Sequence, residues 1–165
     1  MDRRKLVQIL GASAMAASAQ TALRFFNPAE AATLDRLAEI IIPADGPSPG
    51  AHEAGAIRYI DLVVRYSDTA QQQFWRRGLT AVESEARTRF DRGFTSLSAA
   101  QQDQVVAAMA ENEGRRQDEM GRFFAVLKRL VVEAYHYSAV HWKRNVGREM
   151  NLSLTEFPGC THEHS

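Results

Sequence analysis

Apolar residues recur at helical spacing along most of the chain, and no segment alternates like a strand for long. Asn27-Pro28-Ala29-Glu30 reads as a helix start: an Asn cap, Pro at the first helical position, and Glu placed to return a hydrogen bond to the cap. Leu34, Leu37, Ala38 and Ile41 follow at helical spacing, and Pro43 ends the helix while pushing Ile42 into an extended conformation. Pro47, Pro49 and Gly50 then make a stiff loop that His52-Glu53-Ala54-Gly55 closes. A second helix begins near Ala56, with Ile57, Ile60 and Val64 on one side. A third runs from about Thr69 to Phe90 with the stripe Trp75, Leu79, Val82, Ala86 and Phe90. Gly93 breaks that pattern, Ser98 with Gln101 caps a short helix carrying Val105, Ala108 and Met109, and Gly114 limits it. The longest segment, from about Arg116 to Trp142, shows Phe123, Leu127, Leu130, Val131 and Ala134 on a face wide enough to touch more than one neighbouring helix. The pattern predicts an all-α domain, a compact bundle of about five helices over residues 27–144, followed by an irregular C-terminal tail over 145–165.

The first nineteen residues have a different character. Arg3 and Arg4, then Lys5 with the apolar Leu6 and Val7, then the small-residue run from Gly11 to Ala19, have the form of a twin-arginine export signal. That route carries substrates already folded, so a chain bearing this signal can take a folded partner with it. Leu6 to Leu23 approaches the roughly 20 residues a membrane span needs, but Gln8, Ser13, Ser18 and Gln20 dilute it, which weakens the alternative of a retained anchor. Ala17-Ser18-Ala19 fits a cleavage site before Gln20, with a cut after Ala22 as the second choice.

Composition narrows the function classes. Lysines and arginines number 20 against 20 aspartates and glutamates. Loss of residues 1–19 removes Arg3, Arg4, Lys5 and Asp2, leaving a mature domain of about −2, which argues against a nucleic-acid partner. Cys160 is the single cysteine, so no internal disulfide, multi-cysteine zinc site or Cys-x-x-Cys-His haem attachment exists. No Gly-x-Gly-x-x-Gly, Gly-x-Ser-x-Gly, phosphate loop or His-Glu-x-x-His is present, so neither a nucleotide cofactor nor a standard hydrolytic site can be argued and no catalytic residue is assigned.

Four histidines fall late in the chain, at His136, His141, His162 and His164. On a straight helix the five-residue step from His136 to His141 separates them by roughly 140 degrees, a poor chelating geometry. Cys160, His162 and His164 alternate in a way that suits zinc or copper if that segment is extended, although a frayed polar terminus is the plainer reading. An unpaired cysteine in an exported protein also invites a disulfide to a partner, and Phe157-Pro158-Gly159 is a turn that would present Cys160. Tyr135, Tyr137 and Trp142 crowd the end of the long helix. Core packing suits Tyr135, whereas Trp142 and Phe157 fit either core or interface.

Taken in order, Ile41-Ile42-Pro43, Pro49-Gly50-Ala51, Ala54-Gly55, Ile60-Asp61, the Phe123, Phe124 and Leu127 helix and the closing Phe157-Pro158-Gly159-Cys160 resemble the small third subunit of gluconate 2-dehydrogenase. The chain departs from that family's pattern between Tyr135 and Phe157, where many members carry a Gly-rich aromatic stretch. The resemblance implies an accessory subunit without chemistry of its own: a large partner holds FAD and oxidises a sugar, sugar acid or alcohol, and a third subunit, a multihaem cytochrome c, takes the electrons to the membrane. It further implies that the chain stabilises the flavoprotein and supplies the signal read by the twin-arginine machinery. The complex would then sit in the periplasm, at the outer face of the inner membrane. Pro43, Pro49, Gly50, His52 and Gly55, with Trp142, Phe157, Pro158 and Gly159, are the candidate partner contacts, and Cys160 the candidate intersubunit disulfide. Two other classes remain open: an independent metal- or haem-binding helical protein using the late histidines, and a self-associating structural protein of the envelope.

Overall fold

The computed structural model describes residues 23–113 and 118–147. The expected export signal (Arg3, Arg4, Leu6, Val7) and the tail positions Phe157, Pro158, Gly159, Cys160, His162 and His164 lie outside the described residues. Among the described residues the chain is all α-helical: α1 (Pro28–Ile41), α2 (Ala56–Arg65), α3 (Thr69–Phe90), a 3-10 turn at Phe94–Ser96, α4 (Ala99–Glu111) and α5 (Glu119–His136), then a short turn at Ala139–His141 and a π-turn at Trp142–Val146.

Helix boundaries follow from local chemistry. The Asn27 carboxamide oxygen accepts from the Ala29 and Glu30 amides, and the Glu30 carboxylate accepts from the Asn27 amide, so the capping box at α1 is complete. The same reciprocal pair, Ser98 with Gln101, opens α4. Asp68 caps α3 through the Gln71 amide, and Asp118 caps α5 through the Gly121 amide. Gly55 enters α2 at φ +72°, a left-handed conformation that glycine adopts without Cβ strain. Ile42 lies at φ −130°, ψ 87°, off the helical path, as the proline after it demands.

α5 is the centre of the bundle and packs against all four other helices. Phe123 sets its ring edge against Trp75 with centroids 5.3 Å apart, and Phe26 meets Trp75 at 6.0 Å. That approach depends on Gly78 of α3, where an added Cβ would lie 2.1 Å from the Phe123 ring. The core spans Leu34, Leu37, Ile60, Val64, Trp75, Val82, Val105, Met109, Leu127 and Val131, all fully buried. The one polar side chain buried on α4, Gln102, donates to the Phe94 carbonyl at 3.0 Å and accepts from Arg36 at 2.6 Å, so the 3-10 turn is stitched to both α1 and α4.

One expected element differs. The segment from Arg116 to Trp142 is not a single helix, because α5 stops at His136. Tyr137 adopts φ −86°, ψ 1°, and the Ser138 hydroxyl donates to the Tyr135 carbonyl at 2.8 Å and accepts from the His141 amide at 3.1 Å. Serine here offers the backbone an alternative to the helical ladder. The π-turn that follows extends to Val146 and closes at Gly147 with φ +69°.

Candidate functional site

The proposed contact loop between α1 and α2 is organised from beneath by Glu39. Its carboxylate accepts from the Ala44 amide at 3.0 Å and the His52 amide at 2.9 Å, and a Cβ on Gly50 would lie 2.3 Å from the same carboxylate. Pro49 and Gly50 are buried, whereas Pro43 and His52 are exposed. The His52 imidazole meets Asp35 at 2.6 Å. The loop is tied together by its own hydrogen bonds, and its exposed residues are Pro43, Ala44, Asp45, Gly46, Pro47, His52 and Glu53.

Trp142 is also used internally, its indole donating to the His136 carbonyl at 2.7 Å. Tyr135 is buried, as its core assignment required, and its hydroxyl accepts from Asn145 at 3.0 Å. The break after His136 changes the histidine geometry. The His136 and His141 rings come together with centroids 5.3 Å apart and nearly perpendicular, where a straight helix would have separated them. Burial, and then the neighbouring His136, hold the His141 imidazole below its usual range. Among the described residues no group of three or more His, Cys, Asp or Glu side chains is placed to hold a metal.

The segment in front of α1 is pinned by a buried carboxylate. Asp61 accepts from the backbone amides of Arg24, Phe25 and Phe26, each at 3.0 Å. Arg76 adds a bond to the Phe25 carbonyl at 3.1 Å and lays its guanidinium over the Phe25 ring at 4.5 Å. The stretch ahead of α1 is therefore clamped to α2 and α3. Asp61 had stood out only as part of a family pattern. Its role escapes a spacing argument because its partners are backbone amides 35 to 37 positions away.

Two surface hollows border these elements. The larger, about 770 Å³, runs between α1 and α3 and is lined by short or polar side chains, among them Thr33, Thr80, Ser84 and Thr88. Glu30, Glu83 and Arg87 stand on its walls. The smaller, about 390 Å³, is lined by Leu23, Arg24, Arg58, Leu62, Arg65 and Tyr66 beside the Asp61 clamp.

α2 carries apolar residues on both sides. Ala56, Ile60 and Val64 face the core, while Tyr59, Leu62, Val63 and Tyr66 recur at i, i+3, i+4 and i+7 on the outward side. Leu62 is 53% exposed and Tyr66 75%. The Tyr59 hydroxyl donates to Glu133 at 2.5 Å, and its ring lies 6.3 Å from that of Tyr137. Hydrogen bonding to Glu133, with burial and the negative charge of that carboxylate, pushes the Tyr59 phenol up to about 12. The outward stripe is visible in the sequence as a second i, i+3, i+4, i+7 set, hidden because Ile57, Ile60 and Val64 already supply the one apolar face a bundle helix needs.

Fold and surface together define, among the described residues, an all-α body with four of its six exposed large apolar side chains on or beside α2. The chain belongs to the gluconate 2-dehydrogenase subunit 3 family, whose model matches residues 28–159 and so includes the whole helical body. It is accordingly related to a subunit of an oxidoreductase complex, and the family's name implies association with the other subunits of such a complex. Neither a curated protein nor a solved structure matches the chain.

Proposed function

We propose that this protein is the non-catalytic small subunit of an exported FAD-dependent dehydrogenase acting on a sugar, sugar acid or alcohol, and that it stabilises the large flavoprotein and supplies its twin-arginine export signal. Membership of the subunit 3 family over the helical body is the observation that carries this reading. FAD belongs to the partner and haem c to a third subunit, a multihaem cytochrome, with the assembly on the periplasmic side of the inner membrane.

The clamp at Asp61 gives the carrier role a physical route. The polypeptide itself joins the leader to the body, and the Asp61 carboxylate, by accepting from three backbone amides, fixes where that stretch leaves the body. Deletion of residues 1–19 leaves dehydrogenase activity in the cytoplasm of the native host. Periplasmic activity that does not fall on that deletion overturns the carrier role. Cys160 offers the complex a covalent tie to a partner subunit; non-reducing electrophoresis of the purified complex then shows a band heavier than 18.4 kDa that reductant collapses.

A further inference from the structure

We propose that the outward face of α2, formed by Tyr59, Leu62, Val63 and Tyr66 with Tyr137 beside it, is the surface on which the flavoprotein subunit docks, through an apolar ridge edged with Asp and Glu side chains. The inference rests on the reading of this chain as the small subunit of a flavin dehydrogenase. Three of the six large apolar side chains most exposed among the described residues, Leu62, Val63 and Tyr66, lie on this one face, and Tyr137 is a fourth. Spacing of i, i+3, i+4 and i+7 is the pattern by which a helix presents anchors to a partner. Tyr59 is already fixed by its bond to Glu133, and Arg65 lies 5.3 Å from the centre of the Tyr66 ring, so two aromatic anchors lose little freedom on binding.

Charge selects the occupant. Arg24, Arg58 and Arg65 line the hollow beside the stripe, and among the described residues none of them pairs with a carboxylate. Elsewhere among the described residues Arg76, Arg77, Arg89, Lys128 and Arg144 are matched by Glu30, Glu119, Glu85, Glu113 and Glu53, while Arg36, Arg87, Arg92, Arg122, Arg129 and Lys143 are not, so what marks the hollow is that three unpaired arginines line one concavity beside the apolar stripe. A second copy of this chain is poorly suited, because the carboxylates nearest the stripe are engaged: Asp61 with three amides and Glu133 with Tyr59. The chain's own leader carries Arg3, Arg4 and Lys5, the same sign as the hollow. A partner surface bearing carboxylates completes the match. Leu23 forms one wall of the hollow, so a subunit docked there would lie beside the export signal it needs.

The test is expression of the tagged full chain in its native host with the flavoprotein subunit, and measurement of FAD recovered per chain. Leu62→Glu with Tyr66→Glu lowers recovered FAD about tenfold or more. Arg58→Glu with Arg65→Glu lowers it as well, with a smaller loss in high salt. Thr80→Glu, on the exposed wall of the other hollow, leaves it unchanged. All variants melt with the wild type when purified without the partner, since the substituted side chains lie outside the core. Wild-type FAD content in the Leu62→Glu, Tyr66→Glu variant overturns the docking surface while leaving the subunit role standing. A wild-type dimer that this variant dissociates, with FAD content unchanged, overturns it in favour of self-association. A wild type that recovers no flavoprotein refutes the subunit role itself, and the docking surface with it.

Discussion

Asp61 shows how one side chain can set the course of a distant segment. Its two oxygens take three backbone amides from Arg24 to Phe26, and it is almost fully buried. Replacement by Ala leaves three donors in a partly closed site, and each unsatisfied buried donor costs about 1–3 kcal/mol where water cannot reach it. Asp61→Ala therefore lowers stability by about 3 kcal/mol in urea unfolding and opens the chain near Phe25 to proteolysis; a variant with wild-type stability and protection would show that the clamp is dispensable. Tyr59 makes a second prediction at this scale. Its phenol is neutral in the fold up to about pH 12, whereas in the unfolded chain it ionises near 10. Between those values the unfolded state releases a proton that the folded state keeps, so stability contributed by the Tyr59–Glu133 bond is complete below pH 10 and falls as pH rises through 12. Tyr59→Phe flattens that decline, and a variant whose stability falls as steeply as the wild type's over pH 9–11 refutes the assignment.

At the level of elements, the loop between α1 and α2 owes its shape to a single acceptor on the preceding helix. Glu39 reaches past the end of α1 to hold the Ala44 and His52 amides, and Gly50 leaves room for that carboxylate. Glu39→Ala speeds hydrogen exchange of the Ala44 and His52 amides at least tenfold while core amides of α5 keep their protection, because the loss is confined to a surface loop. Uniform loss of protection would mean that the loop is part of the global folding unit. Much of this architecture was legible from local signals: both capping boxes, the glycine entry to α2, the proline stop after α1 and both ends of α3 all rest on contacts within five residues. The break after His136 was not legible. No glycine or proline marks it, and serine interrupts a helix only when its hydroxyl finds the backbone, as Ser138 does here. The outward stripe of α2 was hidden for another reason: periodicity identifies two apolar faces but cannot say which one the bundle covers.

For the whole molecule, the question is whether the proposed leader contributes to the stability of the helical body. The helical core is complete from Phe26 onward, and the residues that tie the N-terminal strand of chain to α2 are Arg24, Phe25 and Phe26. Either expected cleavage, before Gln20 or after Ala22, falls ahead of that clamp. The mature and precursor forms should then share one core, one clamp and one set of ion pairs, and differ only in residues that precede all of them. Thermal unfolding of the two forms accordingly coincides to within about 2 °C, the shift expected for well under 1 kcal/mol in a domain of this size. A precursor that melts about 5 °C higher would show that residues ahead of the clamp bury apolar surface on the body, and the outward face of α2, which adjoins Leu23, is where that contact would have to lie. Equal melting leaves that face open in both forms, as the proposed docking of a folded partner before export requires.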